Sequence, residues 1–513
     1  MRDTFYITTP IYYVNDIPHI GHAYTTVACD AMARWNRMKG KRVFFLTGTD
    51  EHGEKIQKTA ALKGLEPRQL ADQVVANFQA LTPALTISNT GFVRTTEPRH
   101  YAAVHDLFRK SLANGDIYLG QYEGWYCVPD EAYWTDLQAE DGKCPTCGRP
   151  VERRKEPSYF FRLSKYQDRL LKFYEENPRF IRPESRRNEV IAFVEGGLND
   201  LSVSRTSLTW GIPVPDAPGH VIYVWYDALT NYLTGLGYPG KTPEIETFWP
   251  ADLHMVGKDI LRFHAVYWPA FLMSAGIELP KGVFAHGWWT VEGQKMSKSL
   301  GNVVDPFDMV QKYGADAFRY FLLREVSFGL DGDFSEKELI KRANSELADK
   351  LGNLLNRTLG MLGKYFDGTV PAPGDPEAAD AALSGCAGQT LATVGQAMED
   401  VAFHKALAAI IELVTKANEY VQSMQPWALA KDPSKRGRLG TVLYNALEAA
   451  RVSALLMSPF TPSASQKMFD ALVPGGGPVE NARVDEAGRW GALAPGSSLP
   501  KACIVFPKIE TAG

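Results

Sequence analysis

The chain has 513 residues, of which 45% are hydrophobic and 22% charged, with a formal net charge of −4. Both fractions match ordinary globular proteins, which excludes disorder, fibres and low-complexity assemblies as the main organisation, and the length predicts roughly two to four domains. There is no run of about 18 apolar residues, so no membrane-spanning helix is expected. The N-terminal MRDTFYITTP lacks a basic region followed by an apolar stretch, so a cytoplasmic location without a secretory signal is expected. The mild acidity excludes a globally basic nucleic-acid coat protein but leaves room for local basic patches.

Phe5-Tyr6-Ile7-Thr8-Thr9 reads as a short buried strand that breaks at Pro10, followed by the turn-rich Asn15-Asp16-Ile17-Pro18. From about Gly21 the spacing of Val27, Ala31, Trp35 and Met38 predicts a helix, with Gly40 placed to end it. Val43-Phe44-Phe45-Leu46 is a continuous apolar run, as in a parallel strand covered on both faces. Strand, helix and strand form a βαβ unit, and a doubly wound parallel α/β sheet follows from it. Residues 116–208 read as an insertion rich in aromatic residues and carrying a CxxC. The α/β pattern returns with Val221–Val224 and Leu253–Val256. After about residue 335 helical periodicity takes over. The organisation expected is therefore 1–115 and 209–335 as the two halves of the sheet domain, 116–208 inserted between them, and 336–513 helical. The late apolar stretch Ala502–Phe506 must bury somewhere, for instance back on the sheet domain.

Two motifs carry chemistry. His19-Ile20-Gly21-His22 stands at the start of the first helix, where free N–H groups and the positive dipole end suit phosphate. Gly21 lets a ligand approach the backbone, and two histidines three positions apart can donate to phosphate oxygens. About 270 residues later, Lys295-Met296-Ser297-Lys298-Ser299 supplies paired positive charge suited to a phosphoryl transition state and a departing pyrophosphate. Either motif alone also fits a bland reading, a capped helix or a solvated basic loop.

Together, in this order and context, HxGH and KMSKS are the paired signature of class I aminoacyl-tRNA synthetases, and from Thr8 to about residue 508 the chain resembles the bacterial methionyl-tRNA synthetases. The resemblance implies a Rossmann-type catalytic domain, a helical anticodon-binding domain, and the substrates L-methionine, ATP with Mg²⁺, and tRNA(Met), including the initiator. It also implies site residues. Ile11, Tyr13, Trp225, Ala228, Leu229, Tyr232, Ile260, Phe263, His264 and Trp268 match positions around methionine, and Asp50 matches the carboxylate that receives the α-ammonium group. An aromatic slot suits a flexible thioether, and a carboxylate at the carboxyl end of a parallel strand suits an ammonium. Gly257, Lys258 and Asp259 match positions near the ATP ribose and adenine. His19, His22, Lys295 and Lys298 match the catalytic positions, with Gly21, Met296, Ser297 and Ser299 beside them. Asn353, Arg357, Pro426 and Trp427 resemble anticodon-reading elements, and Asn353 and Arg357 fall four apart on one helix face.

The insertion departs from its zinc-binding relatives. Cys127, Cys144 and Cys147 are ligand types with knuckle spacing, but Asp130 stands where a cysteine is usual. Three Cys and one Asp is an allowed but uncommon zinc set, and the sequence leans slightly towards a metal-free insertion held by its aromatic residues. No sequence remains for the added dimerising module of some relatives, so a monomer is expected. Synthetases that edit branched amino acids carry insertions much larger than residues 116–208, and a cysteine enzyme needs zinc ligands in the pocket itself. Intact motifs argue against a non-catalytic tRNA-binding paralogue, and the length and KMSKS loop against a small HxGH nucleotidyltransferase.

Overall fold

A computed structural model describes residues 3–130, 132–134, 139–296 and 301–510. Its centre is a parallel sheet of seven strands among the described residues. The spatial order is Tyr12–Tyr13, Arg42–Asp50, Thr4–Thr8, Leu253–Gly257, Val283–His286 and Ile181–Arg182, with Gly91–Arg94 also paired to Arg42–Asp50. Thr4–Thr8 is buried at every position, as its unbroken apolar and β-branched run requires. Its neighbours come from opposite ends of the catalytic region, one soon after it and one some 250 residues on. Such a reversal of strand order opens a crevice at the carboxyl ends of the strands. The helix Ile20–Met38 begins beside that crevice.

The stretch 116–208 is divided between two units. Ile117–Cys127, Ala132–Trp134, Glu152–Phe161 and Leu201–Ser202 form a separate antiparallel sheet. Ile181–Arg182, however, pairs with Val283–Phe284 at the edge of the central sheet, and the helices Gln167–Glu176 and Glu184–Glu195 bury Leu170, Tyr174, Val190 and Val194 in its core. A two-residue strand is too short for periodicity to reveal, so the inserted unit is narrower than 116–208. Arg154 of the inserted sheet holds Glu54 of the catalytic region with two 2.9 Å contacts.

The C-terminal part is a helical bundle of Asn353–Phe366, Ala378–Glu399, Phe403–Met424, Arg436–Met457 and Pro462–Leu472. Arg436–Met457 is buried continuously from Leu439, the pattern of a central helix covered all round. One apolar core runs from Val27 and Trp35 into this bundle. At the junction the fully buried Arg319 pairs with Asp30 at 2.7 Å and donates to the carbonyls of Leu85, Pro459 and Phe460. Of the late apolar stretch, Phe506 lies beside Gly352 of the helical part. Asn344 exchanges two hydrogen bonds with the Ile509 backbone, and Lys508 pairs with Asp349, which docks this segment along Ala343–Gly352 of the helical part.

Candidate active site

At the crevice, the helix Ile20–Met38 is capped by its own two histidines. His19 is extended (φ −133°, ψ 175°), its Nδ1 accepts from the Gly21 N–H at 3.1 Å, and its own N–H donates to His22 Nδ1 at 3.1 Å. This is a capping box built from imidazoles, which satisfies two orphan donors reciprocally. It also fixes the tautomers. Both Nδ1 atoms accept, so each proton sits on Nε2. Burial lowers the His19 pKa, with Asp16 and Asp259 opposing. Burial and then neighbouring His19 push His22 well below its ordinary value. The helix start thus presents two neutral N–H donors. A Cβ on Gly21 would lie 2.9 Å from the His19 ring, so this glycine makes room for the folded-back imidazole.

A cleft of about 1170 Å³ runs from this point. It is lined by Ile11, Tyr13, Asp50, Trp225, Ala228, Leu229, Tyr232, Ile260 and His264 at one end, and by His19, Gly21, His22, Gly257, Asp259 and Met296 elsewhere. Trp225, Ala228, Leu229 and Tyr232 share a face because the helix Val224–Leu229 continues into Asn231–Thr234. Phe263 and Trp268 lie one layer back. Phe263 stacks on Trp225 with ring centres 3.7 Å apart, and Trp268, fully buried, meets Tyr232 edge to face at 6.0 Å. His264 Nδ1 bonds the Ile260 carbonyl at 2.9 Å, so that nitrogen carries the proton and Nε2 accepts from the Tyr232 hydroxyl at 2.6 Å. Burial lowers the His264 pKa to about 4 despite the Ile260 carbonyl, and burial raises that of Tyr232. This end of the cleft is an uncharged aromatic slot with Asp50 at its edge.

Lys258 is not part of the lining. Its ammonium pairs with Asp331 at 2.6 Å and sits 4.3 Å from the Trp288 ring centre. Several lining residues were not named from the sequence, and His286 is the most informative. It ends the buried strand Val283–His286, bonds Thr25 of the capped helix through Nε2 at 2.7 Å, and donates from Nδ1 to the Gly287 carbonyl. The signal was present, a polar residue and glycine ending an apolar run, as at Asp50. Gln294–Lys295 pairs as a short strand with Trp289–Val291, while Ser297, Lys298 and Ser299 lie outside the described residues.

Far from the cleft, the Arg357 guanidinium lies 5.1 Å from the Trp427 ring centre and donates to Gln422, with Asn353 exposed one turn earlier and Pro426 buried. In the insertion, Cys127, Asp130, Cys144 and Cys147 bring one ligand atom each within 4.8 Å of one another. Asp130 Oδ2 is 3.0 Å from Cys144 Sγ, and the Cys127 and Cys147 sulfurs are 3.6 Å apart. Two thiolates on one tetrahedral zinc sit about 3.8 Å apart, from Zn–S of about 2.3 Å. The four residues therefore form a group that could hold a metal ion, with the carboxylate in the fourth position.

The cleft thus joins a switch-point crevice, a helix start that offers donors suited to phosphate and an adjoining aromatic slot, an arrangement compatible with a class I tRNA synthetase. The family model for class I tRNA synthetases of the methionine type matches residues 5–155 and 148–359, and that for the anticodon-binding domain of methionyl tRNA ligase matches 370–512. A methionine–tRNA ligase of Caldanaerobacter subterraneus is 54% identical over 99% of this chain and 80% of its own length. One from Rickettsia felis is 52% identical over 99% of both. The structure of Mycobacterium tuberculosis methionyl-tRNA synthetase in complex with methionyl-adenylate superposes with a TM-score of 0.95 at 48% identity, covering 99% of this chain and 100% of that one. The chain belongs to the methionine-specific class I tRNA synthetases.

Proposed function

We infer that the protein is a methionine–tRNA ligase. It activates L-methionine with ATP to methionyl-adenylate and pyrophosphate, then transfers the methionyl group to tRNA(Met). The observation that carries this reading is one cleft in which the uncharged slot of Trp225, Tyr232 and His264 opens beside the Nε2 donors of His19 and His22.

In the proposed mechanism, Asp50 receives the α-ammonium group and so turns the carboxylate of methionine towards the ATP α-phosphate. The carboxylate attacks in line and pyrophosphate leaves with the Mg²⁺ that accompanies ATP. His19 and His22 donate neutral N–H groups to phosphate oxygens, and Lys295 and Lys298 pair with the β- and γ-phosphates. The work is positioning and electrostatics, with no covalent intermediate on the protein. Gly257 and Asp259, both on the cleft wall, would hold the ribose and adenine. The terminal ribose hydroxyl of the tRNA then takes the acyl group, releasing AMP. Asn353, Arg357 and Trp427 read the anticodon by stacking and hydrogen bonds to unstacked bases. The same reading has the enzyme act as a monomer in the cytoplasm on initiator and elongator tRNAs. Among the described residues no helix is long and apolar enough to cross a membrane.

The proximity of Cys127, Asp130, Cys144 and Cys147 favours a structural zinc, against the slight lean of the sequence. The metal would cross-link the two arms of the insertion, and metal analysis of purified protein should return about one zinc per chain.

Charging of purified tRNA(Met) with labelled methionine tests the function. ATP-dependent charging is expected, and its absence in folded protein would overturn the reading. Arg357→Ala should lower charging by about 10-fold or more, on the scale of a lost stacking and hydrogen-bond contact, with methionine-dependent ATP–pyrophosphate exchange unchanged.

A further inference from the structure

Behind the amino-acid end of the cleft lies a buried ionic cluster that takes no part in the mechanism above. Asp227 is completely buried, and each of its carboxylate oxygens meets a histidine: His52 Nδ1 at 2.7 Å and His100 Nε2 at 2.7 Å. Both histidines are themselves buried. His100 Nδ1 is 2.8 Å from the Thr234 hydroxyl, and His52 Nε2 is 3.2 Å from the Tyr101 hydroxyl. Burial pushes the Asp227 pKa up, but the adjoining His52 and His100 hold it below the ordinary carboxylate value.

The cluster joins segments that are remote in sequence and that each carry part of the site. His52 follows Asp50 by two residues, and its carbonyl accepts a hydrogen bond from Tyr13 at 2.9 Å. Asp227 lies between Trp225 and Ala228 on the helix that lines the slot. His100 and Tyr101 belong to the helix Pro98–Ala113 and reach Asp227 and His52 respectively. Burying a carboxylate and two imidazoles is a poor way to gain stability, because desolvation cancels much of the attraction. What such a cluster supplies is direction, since two short bonds to the two oxygens of one carboxylate fix both partners.

We propose that His52, Asp227 and His100 are positioning residues that lock the Asp50 segment to the pocket helix and so set the span between the α-ammonium site and the side-chain slot. This inference rests on the methionine-activating function proposed above. A shift of about 1 Å between two binding groups can cost up to about 100-fold. Methionine, which touches both segments, should feel the loss of the lock, and ATP, bound at the other end, should not.

The test is ATP–pyrophosphate exchange by the full chain, with methionine and ATP varied in turn. Asp227→Asn and His52→Leu are expected to raise the KM for methionine about tenfold or more, leaving the KM for ATP within about twofold. His52→Asn should restore the methionine KM to within about threefold of wild type, because its amide N–H stands near the Nδ1 position. Thermal melting establishes that each variant is folded, and if Asp227→Asn is not, the His52 pair carries the test. Unchanged methionine KM in folded His52→Leu, equal shifts in both KM values, or no rescue by His52→Asn would overturn the proposal. A wild-type chain without methionine-dependent exchange would instead sink the function itself, and the proposal with it.

Discussion

The two ends of the cleft hold their polar atoms in opposite ways. In the side-chain slot of the amino-acid end Tyr232 donates to His264, which donates to the Ile260 carbonyl, and Trp225 and Phe263 stack beside them. At the phosphate end the bonds between His19 and His22 use up both Nδ1 atoms and leave both Nε2–H groups to serve as donors. The first arrangement selects by shape and by the absence of charge, which suits a thioether. The second keeps donors in reserve for charge that develops during reaction. Histidine serves both ends, and the hydrogen bond made by one ring nitrogen decides what the other can do.

The comparison can be broken at either end. His22→Ala removes one preorganised donor and one half of the cap, and should lower kcat for ATP–pyrophosphate exchange by about 100- to 1000-fold while sparing the methionine KM. A large rise in that KM with little change in kcat would reverse the assignment of the two ends. Tyr232→Phe removes the donor to His264 Nε2 and leaves a buried acceptor unsatisfied. It should weaken methionine binding or folding by about 1–3 kcal/mol with kcat near wild type, read from the methionine KM and the melting midpoint.

A smaller effect sharpens the shared feature. Burial lowers the pKa of His19, His22, His254, His264 and His286, the last opposed by Asp259 and the Gly287 carbonyl. The unfolded chain titrates its histidines near 6.5, so below that pH it binds more protons than the folded chain. Stability is fully present above about pH 6.5 and is lost as pH falls towards the folded value, about 4 for His264. That residue alone accounts for about 3 kcal/mol at most. Calorimetry should show the melting midpoint falling between pH 7.5 and 5, and a midpoint that holds or rises would show the rings to be charged in the folded chain.

Much of the site was legible because its signals are local. HxGH falls within four residues, and the run Val43–Leu46 gives the strand at whose end the family resemblance puts Asp50. What stayed hidden depends on contacts that no local pattern encodes. His52, His100 and Asp227 meet across 127 and 175 positions. Phe263 and Trp268 came only from the family resemblance, and their rings meet Trp225 and Tyr232. Gly21 signalled a close approach by a ligand, and the His19 ring, which no pattern revealed, also needs the space a Cβ would take. The edge strand Ile181–Arg182 and the docked segment around Ile509 were illegible for a related reason, since two residues or an extended tail have no period to read.

The central claim, a neutral aromatic slot coupled to a phosphate-activating helix start, is tested most directly by ATP–pyrophosphate exchange with a panel of amino acids. Methionine should support exchange at a kcat/KM at least about 100-fold above leucine, isoleucine, valine or cysteine, the upper range for discrimination by a shaped apolar pocket. Comparable exchange with any of these four, or none with methionine, would contradict it.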